Sequence, residues 1–446
     1  MSIVIPSLRA AVAVPGWAKN ELWRKAIAVP SLDLRFAENK SLTDAKTGAS
    51  LVDFTRASTG TFVGSDGLLQ SATTNEARFD HNPTTGESLG LLVEEARTNL
   101  VLQSEDLSTS WTNTNTSETT NAATAPDGTT TADKLIEAAT TTEHSIRQDS
   151  SSQAAGTYTF SIFAKAAERT FLQFAATGVL GSFRANFNIS TGILGSSDPE
   201  LIASIVSYGN GWYKCIVTRT TTATGTLRLQ WNIVTSSSAA RVESYAGDGT
   251  SGLFLWGAQL ETGAFATSYI PTTTATATRA ADVASITGTA FSSFYNQTEG
   301  TALWFGRIIA REVQVQVPFK ITEGTALRGT GFQIDTRAAS LSSAFITRAA
   351  ASGFGSVTNP SATILSNEFN LAGAYKVSEQ ISASFNAGNT VTSTNLTSVF
   401  GTENQMDIGG SSAISGTNSK FNGTIKRLTY WPVRLPNPTL QAITQP

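Results

Sequence analysis

Apolar residues recur at every second position in many short runs of this chain, and that period excludes most folds. Thr157–Lys165 (T-Y-T-F-S-I-F-A-K) places Tyr158, Phe160, Ile162 and Ala164 on one side. Leu227–Ile233 (L-R-L-Q-W-N-I) does the same with Leu227, Leu229, Trp231 and Ile233, leaving Arg228, Gln230 and Asn232 opposite. Glu312–Ile321 alternates through Val313, Val315, Val317, Phe319 and Ile321. Successive side chains of an extended strand point to opposite faces, so each run predicts a half-buried strand. Pro318 interrupts the third run and predicts an edge position, because proline cannot donate to a ladder. Asp66–Gly67, Thr191–Gly192, Asn210–Gly211, Asp248–Gly249 and Asn422–Gly423 each offer a glycine where positive φ suits a turn. No repeat of fixed period is present. The pattern predicts an all-β chain of tandem antiparallel β-sandwiches.

At 446 residues the chain has room for two or three domains. Charged residues make up 15%, below the quarter typical of soluble domains, and Ser, Thr, Asn and Gly supply the polar surface instead. The net charge is -3, with no long basic run, so neither a nucleic-acid groove nor a polybasic membrane patch is expected. One cysteine, Cys215, excludes an intrachain disulfide and a cysteine-based zinc site. Pro6 and Arg9 interrupt the apolar N-terminus, which reads as neither a signal peptide nor a membrane span.

Residues 1–30 form a distinct opening segment. Trp17–Ala28 (W-A-K-N-E-L-W-R-K-A-I-A) predicts one short helix ending before Pro30. Its two tryptophans carry large apolar areas that are costly to leave wet. They pack on this chain's own next domain, or Trp17, Leu22 and Trp23 dock the chain on another protein as an anchor. Two boundaries follow. One lies near Leu102–Asp106, ahead of a Thr/Asn-rich stretch. The other is the small-residue linker Pro271–Thr289.

Chemistry-bearing motifs are scarce. The two histidines, His81 and His144, belong to no metal-binding spacing, and neither a nucleophile elbow nor a phosphate-binding loop occurs. No metal, cofactor or catalytic residue is expected. Glycoside cleavage, the enzymatic alternative, needs two carboxylates at a defined separation. Among Glu94, Glu95, Glu261, Asp282, Glu299 and Asp335, the adjacent Glu94 and Glu95 point to opposite faces of a strand, and a salt link to Arg97 or another arginine near the boundary is the preferred reading. Aromatic rings remain, since sugars stack on them through C–H faces. Trp111, Trp212 and Tyr245 are the candidate carbohydrate contacts, although packing under a loop is the plainer expectation for Trp212. Cys215, beside Tyr213 and Val217 on one face, is expected to be an inert buried thiol.

Several phrases resemble a recurring module of bacteriophage tail-fibre and head-fibre proteins. They are Phe54–Gly60 (F-T-R-A-S-T-G), Arg78–Asn82 (R-F-D-H-N), Pro83–Leu100 (P-T-T-G-E-S-L-G-L-L-V-E-E-A-R-T-N-L), Leu255–Pro271 and Thr278–Val283 (T-R-A-A-D-V). Ala125–Lys134 and Gly156–Ala166 are similar to carbohydrate-binding-module jelly rolls. That family often holds a structural calcium through an acidic pair in the last strand, where this chain has Trp256–Gly257–Ala258, so calcium is not expected. Glu299–Phe305, Gln380–Asn389 and Gly423–Thr444 resemble a concanavalin/laminin-G sandwich, with a short helix from about Pro438. The resemblance implies an anchor at 1–30, a fibre module at 31–102, a jelly roll at 103–285 and a concanavalin-like sandwich at 286–446. It implies a non-enzymatic fibre or spike subunit on the virion surface, a homotrimer held to other virion proteins by its N-terminus and contacting host cell-surface glycan. A capsid decoration or head-fibre protein and a polysaccharide depolymerase are the alternatives.

Overall fold

A computed structural model describes residues 21–309, 315–322, 329–335, 342–348, 354–359, 368–377, 379–393, 403–410 and 421–445. The architecture is almost entirely β, built of several antiparallel sheets that form tandem β-sandwiches. Among the described residues, no helix is long and apolar enough to cross a membrane.

The middle of the chain folds as a jelly-roll-like sandwich of two six-stranded sheets. One runs in the order Ile202–Ser207, Trp212–Thr221, Gly156–Ala166, Gly252–Thr262, Ala132–Glu137, Thr116–Ala123. The other runs Ile193–Ser197, Arg184–Asn188, Phe171–Ala175, Gly225–Val234, His144–Gln153, Thr112–Thr114. The alternating faces read from the sequence meet in its core. Tyr158, Phe160, Ile162 and Ala164 share one buried cluster with Leu227, Leu229, Trp231 and Ile233. Cys215 is buried there too, and burial pushes its thiol far above the ordinary range.

Strand Gly252–Thr262 changes parity midway. Leu253 and Leu255 face the core, and so do Ala258 and Leu260. A bulge opposite Ile162 absorbs the extra residue, with Gly257 at φ 62°. Glycine tolerates that conformation, and a Cβ there would lie 2.9 Å from the Phe163 ring. At the Asn210–Gly211 hairpin both residues have positive φ, 50° and 80°, the two-residue turn that matches strand twist.

The second sandwich draws on both ends of the chain. Its larger sheet runs Val391–Ser393, Gln380–Phe385, Phe369–Lys376, Glu299–Ile308, Gly423–Trp431, Ser88–Val93, Arg78–His81, with Leu32–Leu34 also paired to Gly423–Trp431. Its facing sheet begins with Asp53–Thr55 beside Val283–Thr287 and Gln405–Ile408. Residues 31–102 therefore do not stand apart from 286–446, as the sequence reading had divided them. Leu32, Phe36, Phe54, Leu91 and Val93 share one core with Trp304, Leu428 and Tyr430. Strands of three to six residues cannot enclose a core of their own, so they complete another. The jelly roll is an insertion between Asn99 and Ala277.

Two further expectations are corrected. Val315–Thr322 is not an edge strand: it pairs with Gly329–Asp335 on one side and Gln405–Ile408 on the other. The register shifts between Gln316 and Phe319, so a bulge accommodates the missing donor of Pro318; Glu312 and Val313 lie outside the described residues. Pro271–Thr289 is not a loose linker either. Ala277–Arg279 pairs with Arg97–Asn99, and Val283–Thr287 enters the facing sheet.

The N-terminal helix spans Glu21–Ala26 among the described residues, and Trp17 lies outside them. Trp23 is 4% exposed, and its Nε1 donates to Asp33 3.0 Å away, with Arg35 over its ring. Leu22 packs beside Ala26, Trp431 and Leu440. These two anchor candidates thus follow the alternative reading and cover this chain's own sandwich, because desolvating the indole is favourable wherever the nearest apolar surface lies. The C-terminal helix, Asn437–Ile443, closes the same patch.

An ion network is buried where insertion and host meet. Arg56 Nη1 lies 3.1 Å from Asp282, and Arg78 bonds to both Asp282 and Glu94. Arg279 Nη1 lies 3.1 Å from Glu94. Ser268 donates its N–H and hydroxyl to Glu94, and the Glu94 N–H donates to Asp282. Burial opposes ionisation of Glu94, yet Arg279, Arg78 and Ser268 hold it down at about 2. Glu95 pairs with Arg97, so both acids take the salt-link role expected of them.

Removing one partner of such a network strands a buried charge, which costs roughly 3–5 kcal/mol. Asp282→Ala is expected to lower stability by that amount, measured as a shift of the urea midpoint. A carboxyl held below its unfolded value contributes stability above the unfolded pKa of about 4.3 and loses it as pH falls toward the folded value. Wild-type midpoints should drop between about pH 4.3 and 2, and Glu94→Gln, though less stable at pH 7, should show a shallower drop. An equally steep acid limb in that variant would contradict the role given to Glu94.

Candidate functional site

The chain enters and leaves the jelly roll along adjacent paths, and that crossing builds a polar cleft. Gln103, in the left-handed region at φ 51°, kinks the entering segment. Its N–H donates to Thr273 O at 2.7 Å, and the Ser104 N–H donates to Thr272 O at 3.2 Å. Asn99 anchors the crossing, donating to the carbonyls of Ala258 and Ile270 while accepting from Leu260 N. Between these segments and strands Thr116–Ala123 and Ala132–Glu137 lies an open cleft of about 370 Å³.

Carboxylates, amides and hydroxyls line this cleft, among them Glu105, Asp106, Asp133, Asn121, Gln103 and Thr131. Asp133 is held by the N–H groups of Leu107 and Asn121 at 2.8 and 2.9 Å. Glu105 accepts from Tyr269 Oη at 3.0 Å, and burial raises its pKa above the usual carboxylate range. Asp106 accepts from the Ser108 hydroxyl and N–H, which lower its pKa. Burial raises that of Asp133. The hydroxyl oxygen of Thr272 is buried on the cleft wall without a partner. Among the described residues, no group of three or more His, Cys, Asp or Glu side chains is placed to hold a metal ion.

The three aromatic candidates fall in different places. Trp111 is half-buried against the jelly-roll core, its Nε1 donating to the carbonyl of Gln103, a residue of the cleft wall, at 3.2 Å. Trp212 is only 2% exposed. Its Nε1 donates to Thr124 O, and its ring packs with Phe163, Trp256 and Tyr269, so it is no platform for a sugar. That cluster instead supports the cleft floor, since Trp256 Nε1 donates to Thr131 Oγ1. Tyr245 is half-buried and occupied: its hydroxyl donates to Glu137 at 2.6 Å, and its ring meets His144 and Arg169. Asp133 and Glu137 lie four residues apart on one strand, roughly 13 Å, so Trp111 and Tyr245 serve separate regions.

Sequence reading missed Gln103, Glu105, Asp106, Asn121, Asp133 and Thr272. One signal was present: Leu102–Asp106 and Pro271–Thr289 were both read as boundaries, and clefts form where two such segments cross between domains.

No protein-family model matches the chain, and no curated protein matches it. Among solved structures, a CBM40 domain of Ruminococcus gnavus IT-sialidase bound to α2,3-sialyllactose is 16% identical, covering 35% of this chain and 87% of that one at a TM-score of 0.30. A leech intramolecular trans-sialidase is 15% identical over 35% of this chain and 24% of its own, at 0.29. A heptameric SAP-like pentraxin from Limulus polyphemus is 13% identical over 34% and 71%, at 0.27. Likenesses this remote carry no argument about ligand or activity, and the assignment of the fold rests on the strand register.

Proposed function

We propose that this chain is a virion-surface fibre or spike subunit whose jelly roll holds host glycan in the cleft beside Trp111. The observation that carries this reading is the cleft itself: an open, hydroxyl- and amide-lined groove whose Gln103 is tied to the half-buried Trp111 indole. Sugar hydroxyls donate to carboxylates and amide oxygens while C–H faces lie on the ring. Display as a homotrimer, docked to other virion proteins, would convert weak contacts into avidity. A non-enzymatic role suits a cleft whose acids are tied to neighbouring donors.

One observation favours a second reading, glycan cleavage in the same cleft. Glu105 is held above the usual carboxylate range and Asp106 below it. Environments that push two acids apart suit one to give a proton and the other to stay charged.

Aromatic contacts contribute about 0.5–1.5 kcal/mol, so Trp111→Ala is expected to weaken retention on immobilised host lipopolysaccharide or capsule by roughly 3–10-fold. Unchanged retention would remove the cleft from the binding role. Incubation of the full chain with the same polysaccharide is expected to release no reducing ends. Release that disappears in Glu105→Gln would establish cleavage instead.

A further inference from the structure

A second cavity, of about 190 Å³, lies at the seam between the two sandwiches. Its walls come from the segment 62–94, from the jelly roll at 206–216 and 266–269, and from Arg307, Ile309 and Thr424 of the outer sandwich. Neither sandwich forms it alone.

His81 defines what this cavity can accept. The residue is 4% exposed, and its Nδ1 lies 3.0 Å from the carbonyl oxygen of Val63. A carbonyl only accepts, so Nδ1 carries a proton and Nε2 is the ring's second polar atom to be satisfied. That nitrogen is buried and has no partner. A buried polar nitrogen left unpaired is unfavourable, and such groups need an explanation. Donors line the same space. The Nε–H of Arg307 is buried without a partner. Lys214, 3% exposed, directs one bond from Nζ to Thr267 O at 3.0 Å, and an ammonium carries three protons. Asp80, Glu94, Thr267, Ser268 and Thr424 add further polar groups, and the rest of the wall is mainly apolar and aromatic, including Phe62 and Tyr208.

Size and chemistry together restrict the occupant. Pockets for drug-sized ligands span about 300–1,000 Å³, so this cavity suits a single small ring. An aliphatic chain would leave His81 Nε2 and Arg307 Nε unsatisfied. A hydroxyl both donates and accepts, and a pyranose presents several around a C–H face that suits Phe62 and Tyr208.

We propose that the seam cavity is a monosaccharide site, in which a sugar hydroxyl pairs with His81 Nε2 and sugar oxygens accept from Arg307 and Lys214. It rests on the glycan-binding reading above and extends it from the open cleft to one terminal sugar ring. Val206 and Ile309, 43% and 40% exposed, stand at its rim.

The experiment is saturation-transfer NMR on the full chain with methyl α-D-glucopyranoside, methyl α-D-galactopyranoside and methyl α-D-mannopyranoside. Cyclohexanol serves as a ring of similar size with one hydroxyl. At least one glycoside is expected to receive saturation and to exceed cyclohexanol. Val206→Trp, an exposed change at the rim, should abolish the signal, and His81→Phe should weaken binding about tenfold or more. Trp111→Ala should leave it unchanged while reducing polysaccharide retention, which separates failure of this site from failure of the cleft. Transfer to none of the glycosides, transfer surviving Val206→Trp, or transfer lost only in Trp111→Ala would overturn the proposal. A soaked crystal holding ordered water alone in the cavity would overturn it as well.

Discussion

Arg56, Arg78 and Arg279 are buried with Glu94 and Asp282 where the two sandwiches meet, and the arrangement of the whole chain depends on them. Isolated charges in such a place are very unfavourable. Each is tolerated because the others are present, and Ser268 and the Glu94 N–H add further hydrogen bonds to the two acids. The five side chains come from four separate stretches of sequence. Bringing them together sets the path of the chain into and out of the jelly roll, and with it the cleft on one side and the seam cavity on the other.

Those stretches are F-T-R-A-S-T-G, R-F-D-H-N, L-V-E-E-A-R and T-R-A-A-D-V. Their arginines and acids look like surface charge when read singly. In three dimensions they form one device for joining an inserted sandwich to its host. A polar groove follows from this geometry because insertion places two chain crossings side by side. Polar backbone and side-chain groups there line a groove instead of closing into a sheet.

Local patterns were legible where the physics is local. The alternation at Tyr158–Ala164 and Leu227–Ile233 predicted the core-facing side, because a strand's two faces depend only on its own backbone. The Asn210–Gly211 turn was visible for the same reason. Pairing with Arg97 or a nearby arginine was legible for Glu94 and Glu95 as a type of contact, though not which arginines Glu94 would choose. The cleft residues were largely invisible. Glu105, Asp133 and Thr272 carry no mutual spacing, and they meet only because segments more than a hundred residues apart run together. Pro318 misled for a related reason: a bulge lets proline sit between two neighbours, and the bulge belongs to the pairing, not to the strand alone.

Side-chain periodicity and turn chemistry determined that this chain is all-β and which residues face inward. Only the tertiary structure decided which strands share a sheet, that residues 31–102 complete the sandwich of 286–446, and that Trp212 is buried while Trp111 is tied to Gln103 of the groove wall. The reason is that alternation specifies a face but not a partner. Partners are selected by the cores that many short strands can close together and by the buried charges that must find one another.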